Sequence, residues 1–277
     1  DYGQRVKKIR MSSRIYMADK LLDGTGQPST TGQNFVPSNF PVFGVVDANK
    51  RSFDIIIQVA SFDSLKGGLV QAPEFGPADL IVQRRDHARM ADMAVITTLV
   101  VFGIYFAGMF RQWRREPYLL FFSMFCLSLG LFFSVDNEIL LSALFPYLSF
   151  FVLQKLLFIL PYLSIISFVY YVRLYLSAPV TMLFRVLLVL SVVYVLLLLA
   201  FPNQWLLALL WPGIGLQMIV FMYIFGLLLR HRHQGARVYY ILLGVFFLTI
   251  SWIFAQTRYQ LALDSPYYII ITLLLVV

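Results

Sequence analysis

The chain has 277 residues, of which 60% are hydrophobic and 13% are charged, whereas a soluble domain is usually about half apolar and about a quarter charged. Its net charge of +8 does not indicate nucleic-acid binding, because the excess Lys and Arg residues lie in short links between apolar runs and not on one solvated face. The single cysteine, Cys126, excludes both a disulfide framework and a cysteine metal site within this chain.

The distribution of charge divides the chain into two regions. Residues 1–88 hold 11 Lys or Arg and 9 Asp or Glu, as an ordinary soluble domain would, whereas residues 89–277 hold only 11 and 5. Neighbouring regions with such different charge densities face different solvents. We therefore predict a water-soluble domain over 1–88 and a membrane domain over 89–277.

The first region has the pattern of short strands separated by turns. Arg5–Met11 alternates polar and apolar residues, and Ala18-Asp19 separates two further runs as the turn of a hairpin would. The strongest candidate, Phe53–Ala60, is so rich in β-branched apolar residues that we expect a central strand. The other candidates are 14–17, 20–22, 40–46, 69–71 and 80–83. Together they predict an all-β sandwich that is small for a jelly roll.

Seven apolar runs in the second region are predicted to cross the membrane as helices. The first, Met90–Phe110, carries one charge, Asp92, and at about 1.5 Å per residue it is long enough for a hydrocarbon core of roughly 30 Å. The later runs are 117–135, 150–172, 182–201, 204–229, 238–256 and 266–277. Pro161 and Pro212 fall inside or near two of them and are expected to kink them. The predicted fold class is an all-α polytopic membrane protein, with seven transmembrane helices and an N-terminal all-β sandwich or jelly-roll domain.

The charges of the links between runs predict an orientation. Eight basic residues occupy alternate links, whereas the opposite side has only Arg258 and, a few residues inside the third run, Lys155. The eight are Arg111, Arg114, Arg115, Arg173, Arg185, Arg230, Arg232 and Arg237. Because basic links stay on the cytoplasmic side, we predict that the β domain lies outside and that the C-terminus enters the cytoplasm.

Both ends of the sequence are expected to be interruptions of a longer protein. The chain opens at Asp1 in sequence that already has the pattern of a folded domain. At the other end, the last apolar run is too short to cross a membrane by itself. We therefore expect further strands upstream and a completed seventh helix downstream.

Four segments of the β region resemble the bacterial seven-transmembrane receptors with diverse intracellular signalling modules. They are RIYMADKLL at 14–22, GQP at 26–28, FDIIIQVASF at 53–62 and GGL at 67–69, followed by the seven predicted spans. The resemblance implies an extracellular jelly roll similar to carbohydrate-binding modules and a seven-helix relay. It also implies a cytoplasmic output module in cis, such as a histidine kinase, a diguanylate cyclase or a phosphatase. The implied protein is a multi-pass receptor of the bacterial inner membrane for an extracellular small molecule or glycan, with a homodimer as a further expectation.

Candidate ligand contacts in the outer domain are Asn39, Asp63 and Lys66, which flank predicted strand ends and could face a ligand. A sugar would usually also need an exposed aromatic side chain. No Trp precedes Trp113, and Phe residues in a sandwich usually belong to its core. The alternative is that the three polar residues are solvated loop positions.

Ionisable residues near the outer ends of the spans form a second set of candidates, because charges within membrane helices usually mark function. Asp136, Glu138, Lys155 and Arg258 lie on the same predicted side and could form a polar cluster that couples the β domain to the helices. Lys155 could instead extend its amino group to the membrane interface. Asp92 could simply mark the boundary with water.

No catalytic, cofactor or metal site is predicted within this region. His231 and His233 stand among Arg residues whose charge opposes a bound cation, and no nucleophile is paired with a base. A transporter or channel with an accessory domain is the alternative function, but it would need polar residues near mid-membrane, where Leu, Val, Ile and Phe dominate. The preferred hypothesis is a signal-transducing receptor whose enzymatic output lies beyond residue 277.

Overall fold

A computed structural model of the chain describes residues 2–6, 9–17, 20–38, 40–46, 54–62, 68–69, 72–136, 140–145 and 147–261. The first third is built from short antiparallel strands, and the remainder is helical. The strands are β1 Tyr2–Val6, β2 Ile9–Arg10, β3 Ser12–Met17, β4 Lys20–Thr25, β5 Val42–Val46, β6 Ile55–Ala60, β7 Gly68–Leu69 and β8 Glu74–Pro77.

The strands form two three-stranded antiparallel sheets, ordered β5-β1-β8 and β4-β3-β6, and a short pair of β2 with β7. Val6 and Val42 of the first sheet pack against Ile15 of the second, and all three side chains are buried. The predicted hairpin around Ala18-Asp19 is confirmed, because Met17 of β3 pairs with Lys20 of β4. Antiparallel β structure is therefore confirmed for this region, whereas a complete jelly roll stays a prediction.

The central position predicted for the strand Phe53–Ala60 stays a prediction. Among the described residues β6 pairs only with β3, and its Ile55 and Ile56 are exposed. Its apolar composition indicated a strand but could not specify how many neighbours that strand has. The strand predicted at 80–83 was wrong. The segment 80–83 is helical, since it belongs to a helix that begins at Ala78. Extending an existing helix costs far less than starting a separate element, and Asp79 in its first turn is favourable for a helix N-terminus.

The helices are α1 Ala78–Gln112, α2 Tyr118–Asp136, α3 Leu140–Leu144, α4 Phe150–Tyr175, α5 Met182–Ala200, α6 Leu206–Arg230 and α7 Ala236–Leu261. Five of them, α1, α2, α4, α5 and α6, are long and apolar enough to cross a membrane. Helix α7 coincides with the sixth predicted span, but its described apolar part, Val238–Trp252, is shorter. The seventh predicted span, 266–277, lies outside the described residues, so the number seven stays a prediction.

Local sequence explains where the later helices begin. The hydroxyl groups of Ser149 and Thr181 precede α4 and α5 and accept hydrogen bonds from the backbone N–H groups of Val152 and Phe184. Each cap satisfies an N–H group that the helix itself leaves without a partner. Pro161 and Pro212 lie inside α4 and α6, as predicted. Helix α2 packs along both α1 and α4, and it contains the fully buried Cys126.

Candidate functional site

Helix α1 begins on the β structure and continues into the helical bundle without interruption. Its 35 residues, Ala78–Gln112, span about 50 Å at roughly 1.5 Å per residue. The predicted span Met90–Phe110 is only its second part, and the predicted domain boundary at residue 88 falls inside the helix. The basic segment 84–89 is part of this helix.

The first turns of α1 rest on strands β1 and β8 through one isoleucine. Gly3 and Gly76 are paired across these strands, and Ile81, only 3% exposed, lies over them. A Cβ atom added to Gly3 would stand 3.1 Å from the Cβ of Ile81, and one added to Gly76 would stand 3.8 Å from its Cδ1. The lack of a side chain at Gly3, and less critically at Gly76, therefore leaves the hollow that receives Ile81.

A second contact holds the next turn of α1 to the same sheet. The guanidinium of Arg85 lies 4.1 Å from the centre of the Phe43 ring on β5, a cation–π geometry. On β1, the neighbour of Phe43 is Arg5, which is 2% exposed and lies 3.9 Å from Glu74 of β8. The helix thus contacts all three strands of the sheet. We call Gly3, Gly76, Ile81, Phe43 and Arg85 the docking contact.

Below the docking contact, α1 is held against α2 by small residues. The hydroxyl of Ser123 donates to the backbone carbonyl of Gly103 over 2.7 Å, and Leu127 fills the space beside Gly103. Gly130 is in similarly close contact with Leu99. Gly103 is therefore a point of close approach between the two helices.

Two buried carboxylates lie at the end of this helix pair nearer the β domain, which we call the outer end. Asp92 is 4% exposed and Asp136 is 2% exposed, and each has an interaction partner in the structure. Gly103 of α1 meets Leu127 of α2, and Gly130 of α2 meets Leu99 of α1. Because the two helices run antiparallel, this register brings residue 92 of α1 to about the same height as residue 136 of α2. Burial argues against reading Asp92 as a marker of the water boundary. Its spacing from Val95, Leu99 and Gly103, which are also buried, is the signal that could have placed it on the packed face.

Lys155 makes a contact that the sequence did not predict. Its amino group donates to the backbone carbonyl of Leu199 over 2.6 Å. This carbonyl lies in the last turn of α5, where a cation interacts favourably with the negative end of the helix dipole. Beside it, the side-chain amide of Asn203 donates to the carbonyl of Phe151 over 3.1 Å and to Gln154 over 3.2 Å. We call these contacts, which tie α4 to the end of α5 and to the link between α5 and α6, the outer clasp.

The remaining predicted site residues stay predictions. Asn39, Asp63, Lys66 and Glu138 lie outside the described residues, and Arg258 is described only as part of the α7 backbone. Nothing described brings Asp136 and Lys155 into one cluster. His231, considered above as half of a metal pair, places Nδ1 2.9 Å from the carbonyl of Leu227 at the end of α6.

A β domain docked on the first of five helices that are long and apolar enough to cross a membrane indicates a multi-pass membrane protein. The family model described as "7TM diverse intracellular signalling" matches residues 88–276. The chain belongs to this family, as the resemblance of its sequence implied. Comparison with curated proteins and with solved structures gave no match.

Proposed function

We propose that this protein is a transmembrane receptor in which the β domain detects an extracellular small molecule or glycan. The helices relay that event to a cytoplasmic output module, for which a histidine kinase or a diguanylate cyclase is the expected type. The observation that carries the proposal is the continuity of α1 from the docking contact into the bundle. The family match, which begins at residue 88, supports a role in signalling.

The proposed relay is mechanical. Ligand binding can shift a receptor only by as much as the ligand prefers one arrangement over the other. Because close-packed contacts transmit displacement, a shift of β1 against β8 would displace Ile81, which lies over the Gly3–Gly76 pair. The unbroken helix would carry that displacement to Gly103 and hence to α2. The bundle would respond by exchanging between two discrete arrangements.

The proposed orientation places the β domain outside a bacterial inner membrane. Exposed basic residues cluster at the end of the bundle far from the β domain: Arg111, Arg114, Arg115, Arg185, Arg230 and Arg232. This distribution is the one expected of cytoplasmic links. Protease added to spheroplasts should therefore remove the β domain. A domain that is cut only after the membrane is permeabilised would contradict the orientation.

The test of the relay is a pair of adjacent substitutions in the full-length protein. Ile81→Asp places a charge in the hollow, whereas Leu80→Asp makes the same change at a side chain that is 53% exposed. The readout is output activity in nanodiscs, measured both as autophosphorylation with ATP and as conversion of GTP to cyclic diguanylate. We expect Ile81→Asp to change the basal output several-fold and Leu80→Asp to leave it near the wild-type value. Equal output from the two variants would refute the relay through α1.

A further inference from the structure

The outer halves of α4, α5 and α6 meet at two tyrosines. Tyr162 of α4 and Tyr194 of α5 are 6% and 8% exposed, and their ring centres are 4.7 Å apart. Leu198 and Leu206, both fully buried, complete the surrounding apolar cluster. Two hydroxyl groups are thus enclosed in an apolar region, where each requires a hydrogen-bond partner.

The two helices that pack around Tyr194, α4 and α6, each contain a proline next to the contact. Pro161 directly precedes Tyr162 in α4, and Pro212 directly precedes Gly213 in α6. Proline has no N–H group to donate to the carbonyl four residues earlier, so it locally weakens the ladder of a helix. Each tyrosine contact therefore lies at a point where the helix backbone can bend.

The Tyr194 hydroxyl reaches the backbone of α6. It donates to the carbonyl of Leu209, the group that accepts from the N–H of Gly213 in a regular helix. The Tyr162 ring packs against the ring of Tyr194. We call Tyr162, Tyr194, Leu209 and Gly213 the tyrosine junction.

Only glycine fits at position 213. A Cβ atom there would overlap the Tyr162 hydroxyl and would lie 2.5 Å from the Tyr194 hydroxyl, closer than a side chain tolerates. Gly215, two residues further along α6, has no atom within 4 Å of a Cβ position. The space that glycine leaves on α6 is therefore specific to the site where the hydroxyl groups enter.

A second arrangement of the tyrosine junction would also keep the Tyr194 hydroxyl hydrogen-bonded. In the observed arrangement this hydroxyl donates to the carbonyl of Leu209. In the other it would donate to the hydroxyl of Tyr162, whose ring centre is 4.7 Å from that of Tyr194. Because the Tyr194 O–H group has an acceptor in both arrangements, their free energies can be close.

From this geometry we propose that the tyrosine junction is a two-state switch of the bundle, in which withdrawal of the Tyr194 hydroxyl from Leu209 lets α6 move against α4 and α5. The outer clasp lies directly above it and joins the same helices through Lys155 and Asn203, so movement at the outer surface biases the switch. The inference rests on the proposed receptor function and names where in the helices the signal is converted into movement.

The test measures a distance at the opposite end of the bundle. The background is the full-length protein with Cys126→Ser, and spin labels are attached to Gln112→Cys and Arg232→Cys, two exposed positions. The distance between the labels is measured in nanodiscs by pulsed electron–electron double resonance. Tyr194→Phe removes the hydroxyl, and Gly213→Ala excludes it sterically. We expect both to shift the main distance in the same direction by roughly 2–5 Å, within the range of known helix shifts.

Matched controls are available on the same two helices. Ser191→Ala removes a buried hydroxyl whose hydrogen bond, within the described part of the chain, goes to Leu187 of its own helix, and Gly215→Ala adds a methyl group in open space. Both should leave the distance unchanged. If Tyr194→Phe behaves like Ser191→Ala, the junction is passive packing and the inference is wrong. That decision stands even if Gly213→Ala fails to fold.

The output of the same variants separates this inference from the receptor proposal. A shifted distance with altered output supports the switch, whereas a shifted distance with unaltered output shows that the junction is not part of the relay. Failure of the receptor proposal has a different signature, namely equal output from Ile81→Asp and Leu80→Asp.

Discussion

Ile81 of α1 lies so close to Gly3 of β1 that a Cβ atom on that glycine would stand 3.1 Å from the Cβ of Ile81 and 3.3 Å from the Cα of Ala78. The second of these neighbours is backbone, which cannot move aside by changing a rotamer. The β domain and the first helix are therefore joined by a contact with very little free space. This contact makes the first prediction unusually specific.

We predict that Gly3→Val loosens the docking contact, whereas Gly76→Ala does not. Overpacking should destabilise the docked turns by about 1–3 kcal/mol, and hydrogen–deuterium exchange over residues 78–88 should rise accordingly. A methyl group on Gly76 would make only an ordinary contact at 3.8 Å, so we expect a change below about 0.5 kcal/mol. Unchanged exchange in Gly3→Val would show that the hollow is wider than the geometry indicates.

Gly103 is predicted to control the spacing of α1 and α2. A Cβ atom there would meet Leu127 at 2.6 Å, so Gly103→Ala should separate the helices and weaken the Ser123 hydrogen bond, at a cost of about 1–3 kcal/mol. Gly108 faces open space on the same helix. Gly108→Ala should be neutral or slightly stabilising, because Ala favours helix over Gly. Thermal unfolding in detergent should rank the two variants, and equal midpoints would argue against close approach at Gly103.

Removal of the Lys155 charge should weaken the outer clasp. Lys155→Met keeps an unbranched side chain but loses the hydrogen bond to Leu199 and the interaction with the end of the α5 dipole, which together are worth about 1 kcal/mol at a partly exposed site. Lys155→Arg retains the charge and should recover part of the loss. The measurement is hydrogen–deuterium exchange of the backbone amides in the C-terminal turn of α5. If Met and Arg variants exchange alike, the charge contributes nothing to the clasp.

Asp92 should matter to stability far more than its neighbour Asp86. Asp92 is buried and partnered, so Asp92→Asn should cost about 1–3 kcal/mol by weakening the interactions of its carboxylate. The side chain of Asp86 is 50% exposed and pairs with Arg85, and an exposed pair of this kind contributes little. Asp86→Asn is therefore the control in a thermal unfolding series. Comparable midpoints for both variants would mean that the buried carboxylate has no stabilising role.

Properties of the chain that depend on local sequence were predicted well. The partition of charge indicated an N-terminal β region and a helical remainder, although α1 begins at Ala78, before the predicted boundary at residue 88. Apolar run length placed α2, α4, α5 and α6 within a few residues of their observed bounds. The Ala18-Asp19 turn indicated the β3–β4 hairpin. Each of these features follows from the solvent that a segment faces or from the φ and ψ preferences of a few residues.

The tertiary structure decided which faces meet. The spans are apolar on all sides, so their sequences carry almost no amphipathic period to show which side is buried. Contacts such as Ile81 with Gly3, Lys155 with Leu199 and Tyr194 with Leu209 join residues distant in the chain. They depend on where small residues allow close approach and on which backbone carbonyls lie within reach. Sequence by itself therefore determined the solvent and approximate extent of most segments, whereas non-local packing determined how they are coupled.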